Sequence, residues 1–165
     1  MATGPEANLW KTMQRNLPLG CVATRLENRH GGGIPDIMLM WDGVISLVEL
    51  KAPKSKLKQE LSPTSPCESL DEEAIRKTDS SADFTGIKSY RRFYSANILR
   101  PEQKAFAARA CVSGVPIFIL ARPQTSNKIK LLQPVITNDA LRLEAVAETL
   151  KWPEIFAALR LAARI

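Results

Sequence analysis

The chain has 165 residues, with 23 Lys and Arg against 17 Asp and Glu, a net charge of +6 and a single histidine. That length suits one domain, residues 1–165, with a proper core, and the basic balance favours a polyanionic partner over a neutral metabolite. One histidine and three cysteines without a CxxC pair argue against a zinc site, a Ser-His-Asp triad or a disulfide framework, while free thiols and the lack of any run of ~20 apolar residues predict a soluble cytoplasmic protein with no membrane span.

In chain order, the first expected element is a helix from Pro5 to about Asn16, with Pro5 at its start, Glu6, Trp10, Met13 and Leu17 at helical spacing, and Pro18 ending the run. Glu6 shares a face with Trp10, and a first-turn glutamate also suits the helix dipole. Residues 19–26 alternate passably and predict a strand, followed by Arg29, His30 and the triple glycine Gly31 to Gly33. Without β-carbons this stretch turns sharply or approaches a ligand closely. Arg25, Arg29 and His30 beside it suit contact with a phosphate backbone; for His30 a solvated loop position is the alternative.

The next two apolar runs, residues 37–41 and 44–50, flank Asp42-Gly43, a strong signal for a tight hairpin. Side chains alternate along a strand, so Glu49 and Lys51 point the same way and Leu50 points into the opposite layer. The hairpin carries Asp36, after Pro35 and at the far end of the first strand from the turn, alongside Glu49 and Lys51. Two carboxylates brought together repel unless a cation lies between them, and a hard divalent ion with oxygen ligands answers that need. Lys51 is then free to hold a water or to stabilise charge developing on a phosphate. For any one of these acids alone, a surface salt bridge is the competing account.

Residues 55–97 change character. They are close to charge balance, carry Ser62-Pro-Thr-Ser-Pro66 and an acidic cluster at 68–73, and read as a polar insertion after the hairpin. The end of this insertion, Lys88-Ser-Tyr90-Arg91-Arg92-Phe93-Tyr94, mixes tyrosines with basic residues, which suits phosphate contact with stacking on bases; an amphipathic segment packing its aromatics on the core is the equal alternative. Lys54 and Lys56, just after the hairpin, add to a basic side. A helix follows from about Leu99 to Val112, with Pro101 in its first turn and Gly114 ending it, then an apolar strand over residues 115–121. A helix crossing between strands predicts a parallel pairing and a mixed sheet. The remainder predicts an edge strand over 128–132, a helix over 138–150, and a last helix over 152–165. The apolar side of that last helix holds Ile155, Phe156, Leu159 and Leu161, and packs on the core or builds a dimer interface.

Pro35-Asp36, twelve intervening residues and Glu49-Leu50-Lys51 resemble the PD-(D/E)xK nuclease motif. More narrowly, Arg25-Leu-Glu-Asn28, Gly33-Ile-Pro-Asp36, Glu49-Leu-Lys51 and Leu99-Arg-Pro-Glu-Gln103-Lys-Ala-Phe106 resemble the phage and bacterial stand-alone VRR-NUC branch, over roughly residues 6–60 and 97–122. The resemblance implies an α/β restriction-endonuclease-like core, a mixed sheet of four to five strands flanked by helices. It implies that Asp36, Glu49 and the carbonyl of Leu50 hold Mg²⁺ or Mn²⁺, that Glu6 on the first helix is a further candidate ligand, and that Lys51 positions or activates the attacking water. Gln103 is expected to hydrogen-bond Lys51 or that water.

By the same resemblance the chain is a DNA endonuclease leaving 5′-phosphate and 3′-hydroxyl ends. The resemblance implies selectivity for branched DNA such as Holliday junctions, with linear duplex, flap or single-stranded DNA left open, and a homodimer; the expected location is the cytoplasm of a bacterium or phage-infected host. The expected DNA contacts are Arg25, Arg29, His30, Lys54, Lys56, Lys88, Tyr90, Arg91 and Arg92. Two rivals share the fold: a non-catalytic DNA-binding protein, which would be expected to lack Asp36, Glu49 or Lys51, and an RNA-directed nuclease.

Overall fold

The computed structural model describes residues 4–26, 33–61, 92–137 and 140–164. Among them, eight strands form one mixed sheet in the order β1-β2-β3-β6-β7-β8-β5-β4. The strands are β1 (Val22–Arg25), β2 (Ile37–Trp41), β3 (Val44–Lys51), β4 (Gln59–Leu61), β5 (Arg92–Ser95), β6 (Ile117–Ala121), β7 (Ile129–Thr137) and β8 (Ala140–Thr149). Three helices flank the sheet: α1 (Pro5–Arg15), α2 (Pro101–Val112) and α3 (Trp152–Ala162).

The hairpin forms where Asp42-Gly43 predicts it. Both residues have positive φ, 51° and 76°, the conformation of a type I′ turn whose twist matches the strands it joins. Its register sets Ile37 against Val48 and Trp41 against Val44, which leaves Asp36 opposite Glu49 at the other end. β1 adds antiparallel to β2 as an edge strand. From β3 the chain passes through the insertion and α2 before β6 lies parallel to β3, with Glu49 against Ile119 and Lys51 against Ala121. The result is a mixed α/β core with the expected parallel pairing across a helix crossover.

Two faces of the sheet bury two apolar clusters. On one, Leu9 and Met13 of α1 and Trp152, Ile155, Phe156 and Leu159 of α3 pack against Ile37, Val48, Leu50, Phe118 and Leu120. On the other, Ala107 and Ala110 of α2 pack against Ile117, Ile119, Ala121, Leu132 and Leu143. The small residues of α2 let the helix lie close, so its first turn reaches the ends of β3 and β6.

Three expectations are corrected. The sheet is wider than four or five strands. The segment 128–132 is part of β7, which lies between β6 and β8 and is no edge strand. Residues 140–149, expected in a helix, form strand β8; their alternation of Leu141, Leu143 and Ala145 with charged residues prevails over the helix propensity of Ala and Glu. The described ends of the polar insertion are strands too: β4 pairs with β5, and β5 with β8.

Candidate active site

The site lies at the C-terminal end of β3, on the face covered by α2. Strand alternation sends Leu50 into the cluster beneath, where it is 4 % exposed, and turns Glu49 and Lys51 upward. Asp36 closes the hairpin's open end: its Oδ2 accepts the backbone N–H of Leu50 at 2.9 Å. One turn and one register thus bring together two acids and a lysine separated by up to fifteen positions in the chain.

Glu49 is the buried member, 3 % exposed. Its Oε1 pairs with Lys51 Nζ at 2.7 Å and accepts from Gln103 Nε2 at 2.5 Å. Gln103 is itself buried and is the third residue of α2, where its Oε1 accepts the N–H of Arg100 at 3.0 Å. It therefore caps its own helix and fixes the acid at once, half of the reciprocal pattern known as a capping box. Its partner is Glu49 rather than Lys51.

Burial pushes the Glu49 carboxyl up from 4.5 to about 7, against the hydrogen bond and charge of Lys51, with the charges of Asp36 and Glu6 pushing it further up. Glu6 is exposed on the first turn of α1, yet its charge reaches the site. A buried acid under pressure from two other carboxylates marks a place short of positive charge.

The approach to the site is shaped by Gly33. Its φ is +108°, and a Cβ built there would lie 2.6 Å from the carbonyl oxygen of Glu102. Only glycine lets the chain entering β2 pass this close to the first turn of α2. Of the triple glycine, this one approaches protein backbone; Gly31 and Gly32 lie outside the described residues.

Among the other sequence candidates, Arg25 is exposed on β1 opposite Ile37, next to Asp36 in register. Lys54 and Lys56 are exposed just beyond β3, and Arg92 is exposed on β5. Arg29, His30, Lys88, Tyr90 and Arg91 lie outside the described residues. Phe93 and Tyr94 are buried, 5 % and 2 % exposed, so these aromatics pack on the core and offer no face to a base.

Among the described residues no group of three or more His, Cys, Asp or Glu side chains forms a ready metal cage. The donor set nonetheless fits a hard divalent ion. Asp36 accepts from Leu50 through Oδ2 and Glu49 accepts from Lys51 and Gln103 through Oε1, which leaves the second oxygen of each acid without a protein donor among the described residues. Mg²⁺ commonly takes one or two carboxylates and completes its shell with water and phosphate oxygens.

The sequence offered no signal for a second charged group on the same face, formed by Tyr94, Lys130 and Glu148. Tyr94 Oη lies 2.8 Å from Lys130 Nζ and 3.2 Å from Glu148 Oε2. Residues 128–132 were expected to form a strand, but reading 138–150 as a helix hid the partner acid.

No family model matches the chain, and none of the curated proteins matches it. Among solved structures it is similar to the 1.6 Å structure of Hjc, a Holliday junction resolvase from the archaeal hyperthermophile Archaeoglobus fulgidus. Identity is 12 % over 84 % of this chain and 83 % of that one, with a TM-score of 0.39.

Proposed function

We propose that this chain is a divalent-metal-dependent endonuclease that hydrolyses phosphodiester bonds in DNA, with branched structures such as four-way junctions as its substrate, and that it acts as a homodimer. The observation that carries the reading is the meeting of Asp36, Glu49 and Lys51 at one end of the sheet, with the buried Glu49 carboxyl raised to about 7. A purely structural ion pair has no use for a second acid beside it or for a buried glutamine holding the first. The preference for branched DNA and the dimer come from the resemblance in the motifs, since two sites can then act on opposed strands.

Asp36 and Glu49 would hold Mg²⁺ or Mn²⁺, with the adjoining carbonyl of Leu50 as a further oxygen and Glu6 as an outer acid. When bound, such an ion supplies Lewis-acid charge neutralisation and a lowered pKa for water. The protein's own groups do the positioning. Lys51 Nζ gives one N–H to Glu49 and has its remaining donors for a non-bridging phosphate oxygen or the attacking water. Gln103 keeps Glu49 from swinging away, and α2 shields one side of the site from solvent. The water oxygen bonds to phosphorus as the bond from phosphorus to the 3′ oxygen breaks. The attacking water loses its proton and the 3′ oxygen gains one, leaving 5′-phosphate and 3′-hydroxyl ends.

The test is cleavage of labelled four-way junction, flap, linear duplex and single-stranded DNA, and of the matching RNA, in Mg²⁺, Mn²⁺ or EDTA. Lys51→Ala should lower the rate about 10²–10³-fold while keeping DNA affinity, and Asp36→Asn and Glu49→Gln should abolish both ion binding and cleavage. Full Mg²⁺-dependent cutting by either acid variant would sink the assignment. Binding of DNA without cutting would instead indicate a non-catalytic nuclease fold, and cutting of RNA alone an RNA-directed enzyme.

A further inference from the structure

On the α2 face of the sheet, the row that holds Lys51 continues through Ala121 on β6 and Lys130 on β7 to Glu148 on β8. Residues directly opposite one another point to the same side, so Lys130 and Glu148 share the face of Glu49 and Lys51, with Lys130 two strand spacings or roughly 10 Å from Lys51 and Glu148 one spacing further, roughly 14 Å. Glu148 reaches this face through an irregularity. Leu132 pairs with Ala145 but Leu131 pairs with Ala147, so Val146 is an extra residue in β8. Without that bulge Glu148 would point into the α1 and α3 layer. Bulges are known for re-aiming a side chain in this way.

The acid so placed gathers more cations than it can neutralise. Lys130 lies at 2.9 Å, Lys128 at 3.8 Å and Arg92 at 3.9 Å. Lys130 is fixed: its ammonium also contacts the Tyr94 hydroxyl and sits 4.5 Å over the Tyr94 ring, and these partners push its pKa up despite burial. Lys128 and Arg92 are different. Their side chains are 57 % and 60 % exposed, and they hold the carboxylate only at the outer limit of an ion pair. A structural bridge between β7 and β8 needs Lys130 alone.

We propose that Arg92, Lys128 and Lys130 form a second phosphate-binding subsite, for a backbone phosphate of the DNA strand being cut that lies outside the scissile position. Tyr94 and Glu148 hold Lys130 in place, and Arg92 and Lys128 swing from Glu148 onto the incoming phosphate. The proposal rests on the nuclease reading, and it gives the insertion a task, since β5 carries Arg92 and Tyr94. A planar guanidinium suits bidentate contact with a phosphate, and an ammonium adds a compact charge beside it.

The test measures binding of a fluorescein-labelled four-way junction and a linear duplex in EDTA, where no cleavage occurs, over a series of salt concentrations. For the double variant Arg92→Ala/Lys128→Ala, loss of two phosphate contacts should flatten the slope of log K against log salt by about 1.8 on duplex and weaken binding about tenfold or more at 0.1 M salt. Its melting temperature should hold, because both side chains are exposed. Glu148→Gln, which removes the competing negative charge with little change of shape, should tighten binding. A double variant that keeps the wild-type slope, or a Glu148→Gln variant that binds more weakly, overturns the subsite. Wild-type protein that cuts DNA alongside variants of unchanged slope would leave the nuclease standing and remove only the subsite; wild-type protein that binds neither DNA removes both.

Discussion

Glu49 sits under opposing pressures. Burial and the charges of Asp36 and Glu6 favour its neutral form, while Lys51 favours the anion, and the balance lies at about 7. In the unfolded chain the same group titrates near 4.5, so between these two values the unfolded state has lost a proton that the folded state keeps. Stability of the ion-free protein therefore falls as pH rises from about 4.5 to about 7 and is level above that, a loss of at most about 3 kcal/mol. Urea unfolding in EDTA at about pH 5 and pH 7.5 should show this loss in the wild type and not in Glu49→Gln; equal pH dependence in the two would contradict it. On the proposed reading, an ion held by Glu49 would displace the proton that this balance favours. Mg²⁺ affinity by calorimetry should therefore climb as pH rises through about 7.

Among the elements, α2 does most to complete the site, and it does so through its first turn. Gln103 ties that turn to Glu49, and Gly33 lets the chain entering β2 pass against Glu102. Gly33→Ala would place a methyl group 2.6 Å from a carbonyl oxygen in a backbone conformation that L-residues avoid. The expected result is a loss of about 1–3 kcal/mol of stability and of most cleavage, while Gly43→Ala, whose Cβ meets nothing within 4 Å, should cost stability with cleavage kept. Equal activity in the two variants would show that the close approach is not what positions the site. β8 teaches the opposite lesson about local signals. Its Ala and Glu content suits a helix, its alternation suits a strand, and pairing with both β7 and β5 decides between them.

At the scale of the whole molecule, one sheet separates two cores. The larger is closed by α3, whose apolar side of Trp152, Ile155, Phe156 and Leu159 is consumed by packing on the sheet and α1. Phe156 is 2 % exposed and stacks on Trp152 with ring centroids 5.8 Å apart. Phe156→Ala should cost about 3–5 kcal/mol, read by urea unfolding; a cost under about 1 kcal/mol would mean that α3 is not integral to the fold. α3 is also clamped to the hairpin turn, where Arg160 pairs with Asp42 and lies 5.0 Å from the Trp41 ring. Because the core takes this face, a dimer must use other surface. Sedimentation equilibrium should nonetheless return twice the 18.3 kDa chain mass, and a monomer at micromolar concentration that still cuts junctions on both strands would remove the dimer from the proposal.

The hairpin, the start of α2 at Pro101 and the convergence of Asp36, Glu49 and Lys51 were legible in the sequence, because a proline in a first turn, a type I′ turn and the two-residue period of a strand are local rules that few neighbours can override. The strand order was not, nor was the docking of β4 and β5 at the far edge of the sheet, since no local pattern states which strand a distant segment joins. For the same reason Gln103 was readable as a candidate while its partner was not, and Lys128, Lys130 and Glu148 were scattered charges, remote in sequence from the candidate Arg92, until pairing and one bulge in β8 set all four on a single face. The sequence by itself determined the chemistry present at the end of β3; the tertiary structure alone decided what surrounds it, because burial and long-range register are properties of the folded chain and of no segment within it.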